Sequence, residues 1–129
     1  RYIERHGMPR TAEDLDRHRI VVFGDVSGRP PFANLDWLLK VGGREQRPRH
    51  PLLMVNNVYA ILRAVESGIG VAGMPEYVAN SSRDVVRVLP ELEGPRIDAF
   101  FVYPEELRNS KRVHVFRDFL LRKVAETQG

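Results

Sequence analysis

Residues 58–75 read VYAILRAVESGIGVAGMP, and this stretch decides the fold. Its apolar side chains recur at the i, i+3, i+4, i+7 spacing of one helical face, as Val58, Ile61, Leu62 and Val65. An asparagine, Asn56 or Asn57, suits the N-cap of this helix, and Gly68 suits the left-handed position just after it. A short apolar strand is then predicted over 71–74. A helix that runs directly into a strand indicates an α-to-β crossover in an α/β domain.

The same stretch contains the pattern G-x-G-x-x-G at Gly68, Gly70 and Gly73. In a dinucleotide-binding turn a strand precedes the first glycine and a helix begins after it, so that the helix amides meet the pyrophosphate. Here a helix precedes the glycines and a strand follows them. We therefore interpret the three glycines as a helix cap and as points of tight packing.

Composition narrows the class of protein. The 129 residues are 43% hydrophobic and 29% charged, as in ordinary soluble globular proteins. Lys and Arg number 20 against 17 Asp and Glu, and a net charge of +3 is too small to indicate nucleic-acid binding. The sequence has no cysteine, which favours a reducing compartment, and it has no apolar run of membrane-spanning length. A cytoplasmic location is expected.

The first residues resemble the end of a helix. Residues 2–5 fit a last helical turn that Gly7 would terminate, and the sequence begins with Arg rather than Met. We expect the chain to be a fragment whose N-terminal part lies outside this sequence.

Further strands are predicted where apolar runs are bounded by turn residues. The runs 20–23 and 52–55 fit buried strands, and 12–17 fits a short helix with a capping-box-like start in which Thr11 would accept from the backbone near Asp14. Residues 36–46 fit a hairpin that turns at Gly42 and Gly43.

The part of the chain from residue 76 onward is predicted to contain two strands and two helices. A short helix is expected over 76–79, a strand over 85–89, a linker over 90–95 and a strand buried on both sides over 97–103. Ser110 would cap a last helix with an apolar face made of Val113, Phe116, Phe119, Leu120 and Val124.

The sequence offers little for catalysis. No two histidines have a metal-binding spacing such as H-E-x-x-H, and no G-x-S-x-G elbow is present. We predict no enzymatic activity, no metal and no cofactor. The basic residues between Lys40 and His50 are interpreted as a solvated hairpin, because no aromatic residues are interleaved with them.

The order of several short segments resembles the effector-binding region of LysR-type transcriptional regulators. The segments are Tyr2 to Leu15 with His18, Ala60 to Pro75, Val86 to Leu92, Val102-Tyr103-Pro104, and Ser110 with Phe116 to Leu120. Each segment is weakly specific, and their order and spacing carry the resemblance over essentially the whole chain.

The resemblance implies an α/β fold of the periplasmic-binding-protein type, with a small-molecule effector between two lobes. Residues 1–92 would form the second lobe, and 93–129 would return to an incomplete first lobe. Promoter DNA would be bound only by a winged helix-turn-helix in the missing N-terminal part. The resemblance also implies a homo-oligomer and no membrane partner.

The effector site is predicted at the carboxyl ends of two parallel strands, where ligands of open α/β sheets bind. The residues there are Phe23, Gly24, Asp25, Val55, Asn56 and Asn57. They match the positions that line the second-lobe wall in similar regulators. The structural alternative is that Asn57 only caps its helix, with Phe23 in the core and Gly24-Asp25 only a turn.

The sequence therefore predicts a ligand-sensing module of a LysR-type regulator that binds a small-molecule effector, and an anion is one class of effector to consider. The alternative is a solute-binding receptor of a transport system with the same fold.

Overall fold

The computed structural model of the chain describes residues 1–24 and 34–127. They form a three-stranded parallel sheet in the order β2-β1-β3, whose strands are β1 (Ile20–Phe23), β2 (Leu53–Val55) and β3 (Val71–Ala72). The α-helices are α1 (Tyr2–His6), α2 (Val58–Glu66), α3 (Glu76–Ala79) and α4 (Lys111–Thr127). Short 3₁₀ helices span Glu13–Arg17, Trp37–Leu39 and Glu105–Leu107. The predicted α/β class is confirmed.

The chain divides into two compact units, Arg1–Ile97 and Asp98–Gly129. The first unit contains the sheet with α1, α2 and α3, and the second contains α4. None of the helices described is long and apolar enough to cross a bilayer.

Strand β1 is the centre of the first unit because its side chains are buried on both faces of the sheet. Ile20 and Val22 belong to one apolar cluster, which also holds Tyr2, Leu15, Leu38, Leu39, Val71 and Leu89. Val21 belongs to a second cluster with Ile61 and Ala64 of α2. This two-sided burial is what the continuous apolar run 20–23 predicted.

The three glycines around β3 have the structural roles that the sequence predicted. Gly68 has φ +80°, in the left-handed region that follows α2. A Cβ added at Gly70 would lie 2.3 Å from the Arg19 carbonyl oxygen, and one added at Gly73 would lie 3.1 Å from the Trp37 ring. Helix α2 precedes these glycines and β3 follows Gly70, the reverse of a dinucleotide-binding turn.

The predicted hairpin over 36–46 is wrong. Residues 37–39 form a 3₁₀ helix, and the Arg44 amide donates to the Lys40 carbonyl at 2.9 Å, a helical type of contact. The adjacent side chains of Leu38 and Leu39 are both buried, whereas a strand would point them to opposite faces. Lys40 also pairs with Asp36 one helical turn away, with 2.9 Å between Nζ and Oδ2.

Two more predicted strands are absent from the described residues. Residues 85–89 are irregular, and Leu89 is buried with φ +50°, a value incompatible with a strand. Residues 97–103 are also irregular, and Val102 is 83% exposed and Phe100 74% exposed. A strand buried on both sides needs neighbours that satisfy its backbone, and the sheet pairs only β1, β2 and β3 in this part of the chain.

Helix α4 confirms the predicted last helix, and the His114 amide donates to the Ser110 carbonyl at 3.1 Å. Its predicted apolar face is largely uncovered, since Phe116 and Val124 are each more than half exposed. Within this unit Phe101 contacts Phe116 edge to face, with 5.8 Å between the ring centroids.

Candidate functional site

The carboxyl ends of β1 and β2 lie side by side, as the sequence predicted. Phe23 is the register partner of Val55, and the Gly24 amide donates to the Val55 carbonyl at 2.9 Å. We call this place, formed by Phe23, Gly24, Val55, Asn56 and Asn57, the carboxyl edge. Parallel strands end here together, which is the position where ligands of open α/β sheets bind.

The closeness of the neighbouring strand favours glycine at position 24. A Cβ at Gly24 would lie 3.0 Å from the Cβ of Met54, a contact tighter than ordinary packing. The absence of a side chain there allows β1 and β2 to remain paired up to their last residues.

Asn57 is the N-cap of α2. Its Oδ1 accepts from the amides of Tyr59 at 2.9 Å and Ala60 at 3.1 Å. The cap uses only the oxygen of the side chain, so the Nδ2 amino group remains a donor at the carboxyl edge. Capping and ligand binding by Asn57 are therefore compatible.

The other predicted site residues differ in what they can offer. Phe23 and Val55 are partly buried and pack against the Val21–Ile61–Ala64 cluster, so at the carboxyl edge they present mainly backbone. Asn56 is exposed. Asp25 lies outside the described residues.

A cavity of about 440 Å³ lies at the amino end of β1. We call it the amino-edge cavity; it is lined by His6, Gly7, Met8, Arg10, Asp14, Arg17 and His18. Most of these residues lie in the segment, Tyr2 to Leu15 with His18, that contributes to the family resemblance, but their spacing does not indicate a ligand site. The available signal was the concentration of four potential cations within thirteen residues, from position 6 to position 18.

The start of the 3₁₀ helix beside this cavity differs from the prediction. Thr11 makes no side-chain cap; instead the Asp14 carboxylate accepts from the amides of Arg10 at 2.9 Å and Thr11 at 3.1 Å. Asp14 also pairs with Arg17. These bonds hold the pKa of Asp14 below its usual value, and the bond from the Arg10 amide is the largest cause.

The basic stretch 40–50 is not a solvated hairpin. The Arg49 side chain is only 7% exposed and donates to Asp16 at 2.7 Å and to the carbonyls of Val41 at 2.6 Å and Ala12 at 2.9 Å. Arg44 also pairs with Asp16, and its side-chain bond is the main cause that lowers the pKa of Asp16. Arg49 thus ties the segment after the second 3₁₀ helix to the first one.

Among the residues that the structure describes, no group of three or more His, Asp or Glu side chains is arranged to hold a metal ion. The chemistry offered at both ends of the sheet is hydrogen bonding and charge.

The sequence matches a family described as the LysR substrate binding domain over residues 1–125. Among curated proteins it is 27% identical over 122 residues to the "Uncharacterized HTH-type transcriptional regulator YhjC" of Escherichia coli, covering 92% of this chain and 40% of that protein. No solved structure matches the chain significantly.

Two further relatives have similar names. The match to an "HTH-type transcriptional regulator" of Xanthomonas campestris is 30% identical over 128 residues, which is 95% of this chain and 37% of that protein. The "Probable HTH-type transcriptional regulator LtrA" of Klebsiella pneumoniae is 27% identical over 96 residues, 71% of this chain and 29% of that protein. The chain thus spans at most 40% of these relatives. Their names describe regulators and not enzymes, in agreement with the non-enzymatic prediction.

Proposed function

This chain belongs to the LysR substrate-binding-domain family, and we propose that its carboxyl edge forms one wall of the effector site of a transcription regulator. The family match over residues 1–125 is the observation that carries the sensing function. The paired ends of β1 and β2 support the location of the site. None of the relatives' names supports the alternative of a transport receptor.

An anionic effector suits the carboxyl edge. Helix α2 begins there, and the first turn of a helix is the positive end of the helix dipole, which attracts an anion. The Nδ2 group of Asn57 adds a donor, whereas no acidic side chain occurs in the first turn of α2. A carboxylate is the effector group that these features would bind best.

The whole regulator would place this site between two lobes. In our proposal residues 1–92 form the second lobe and 93–129 belong to the first, whose remaining strands and DNA-binding winged helix-turn-helix lie outside this sequence. The protein would act in the cytoplasm as a homo-oligomer. The family resemblance and the longer relatives support this arrangement.

The location can be tested by placing a negative charge at the carboxyl edge. A melting screen with small organic carboxylates first identifies a ligand that raises the melting temperature of the chain. Asn57→Asp keeps an N-cap oxygen and interacts well with the helix dipole, so the unliganded variant should melt at the same temperature or slightly higher. It should lose most of the ligand-induced increase, because the new charge repels the carboxylate.

Asn109→Asp is the matched control. Asn109 lies two residues before α4, so this substitution also adds a charge near the beginning of a helix, but in the second unit. The ligand response of Asn109→Asp should equal that of the unsubstituted chain. An equal response from Asn57→Asp and Asn109→Asp would remove Asn57 from the proposed site.

Promoter recognition is tested separately. Base readout needs an element that enters a DNA groove, and we assign that element to the N-terminal part of the regulator. In a gel-shift assay at physiological salt, this chain should not retard the regulator's control region in a sequence-specific manner. Specific retardation by this chain would contradict the assignment.

A further inference from the structure

Two histidines that line the amino-edge cavity, His6 and His18, both contact the buried side chain of Tyr2. The Tyr2 hydroxyl accepts from the Arg19 amide at 2.8 Å, immediately before β1, and lies 3.3 Å from Nδ1 of His18. Its ring stacks on His6 with 4.5 Å between centroids and contacts His18 at 5.7 Å. Both histidine rings of the cavity are thus held by one core residue.

The Tyr2 contact bears on what His18 can offer to a ligand. The Tyr2 oxygen accepts from the Arg19 amide, and the Tyr2 hydroxyl can donate its hydrogen to Nδ1 of His18. In that arrangement the ring hydrogen of a neutral His18 lies on Nε2, which is then a donor. Burial, with His6 as a second cause, lowers the pKa of His18 and so favours this neutral form.

The side chains that line the cavity include two arginines and two histidines but only one carboxylate. Among its lining side chains Asp14 is the one carboxylate, and both of its oxygens are used, Oδ2 by the amides of Arg10 and Thr11 and Oδ1 by Arg17. A guanidinium carries five N–H groups, so Arg17 keeps donors beyond that pair, and the Arg10 guanidinium makes no ion pair within the described ranges. A ligand that fits this lining must bring acceptors and negative charge.

From this imbalance we propose that the amino-edge cavity is a second ligand site, which binds a small organic molecule through a phosphate or carboxylate group. A volume of about 440 Å³ is within the range of small-molecule sites, and Met8 offers an apolar contact to the rest of the ligand. The site is distinct from the carboxyl edge, since β1 separates the two by roughly 13 Å, at about 3.3 Å per residue.

The test follows the side-chain and amide resonances of the chain by NMR during titration with inorganic phosphate and, separately, with citrate. Sodium chloride keeps the ionic strength constant. Saturable shifts of the His6 and His18 ring protons are expected with at least one probe, while the amides of Gly24 and Asn57 stay in place. The probe that binds more tightly identifies the head group as phosphate or carboxylate.

Arg10→Gln should weaken this binding about tenfold, the effect of losing one charge-assisted contact. Arg83→Gln, a change at another exposed arginine of the first unit, should leave it unchanged. His6→Gln provides a second variant in case Arg10→Gln perturbs the fold, and it should also weaken binding. Equal affinities of Arg10→Gln and Arg83→Gln, or shifts that do not exceed those with chloride, would overturn the proposal.

Shifts confined to the carboxyl edge would also overturn it, because the probe would then occupy the effector site. The two sites report on different resonances. If the probes do not bind at the amino-edge cavity, the proposed effector site at the carboxyl edge is still untouched by that result. A negative result at the carboxyl edge likewise says nothing against the amino-edge cavity.

Discussion

Strand β1 of the first unit and helix α4 of the second are both rich in apolar side chains, but those of β1 are far more completely buried. Val21 is fully buried between two strands and α2, whereas Phe116 in α4 is 53% exposed. Each face of the sheet packs against an apolar cluster, whereas within the second unit Phe116 contacts the ring of Phe101 and stays more than half exposed. An apolar pattern therefore identifies a face that can be buried, and burial itself depends on what packs against that face.

If packing around β1 is the source of stability, the largest effect should come from Gly70→Ala. The new Cβ would meet the Arg19 carbonyl oxygen, which accepts the Val71 amide at 2.8 Å, and backbone atoms cannot give way easily. We expect a loss of about 3 kcal/mol in unfolding free energy, measured by urea denaturation. Gly73→Ala, which meets the Trp37 side chain, should cost less. A neutral Gly70→Ala would show that β1 and β3 are not closely paired.

The next largest effect should come from Arg49→Met. This change removes the donor to Asp16 and to the carbonyls of Val41 and Ala12, and should cost about 2 to 3 kcal/mol. Arg47→Met, at an exposed residue of the same segment, is the control and should change the unfolding free energy by less than about 0.5 kcal/mol. Equal losses in the two variants would mean that Arg49 does not tie the two 3₁₀ helices together.

The sequence predicted local features well where the decisive contacts are close along the chain. Asn57 and Gly68 are examples, because a cap depends on residues two to four positions away. The prediction of a solvated hairpin was wrong for Arg49, because its partner Asp16 lies 33 positions earlier and no local pattern indicates that contact. The strand predicted over 97–103 failed for the same reason: its apolar composition was visible, but the neighbouring strand it needed was not.

The two candidate sites also differ in whether local or distant contacts form them. The carboxyl edge could be predicted because strand ends and a helix start are local features, and their place in a parallel sheet follows from general rules. The amino-edge cavity could not be predicted, because two of its lining residues, His6 and His18, are brought together through Tyr2, which lies sixteen positions before His18.

Lowering the pH should have a smaller effect on stability, through His18 of the first unit. The pKa of His18 lies below its ordinary value of about 6.5 because of burial, so the folded chain binds fewer protons than the unfolded chain in this range. This stabilising contribution is complete above about pH 6.5 and is lost as the pH falls through the folded pKa. The melting temperature should therefore decrease from pH 7.5 to pH 5.5, and less steeply in His18→Gln. His50→Gln, at an exposed position, should retain the slope of the unsubstituted chain.

The smallest effect on stability should come from the second unit. Val102→Ser at an 83% exposed side chain should change the unfolding free energy by less than about 0.5 kcal/mol. The same substitution should reduce self-association of the chain in light scattering over a concentration series, because exposed apolar patches promote association. A clear loss of stability in Val102→Ser would show that this segment is packed in solution, and the contrast between the two units would not hold.

The most direct test of the sensing function is an amide chemical-shift map of the chain, recorded during titration with the carboxylate that the melting screen identifies. We expect the largest saturable shifts at Gly24, Asn56 and Asn57, where the carboxyl ends of β1 and β2 meet the beginning of α2. Shifts concentrated on α4, or spread evenly over both units without saturation, would contradict the assignment of the carboxyl edge as the wall of the effector site.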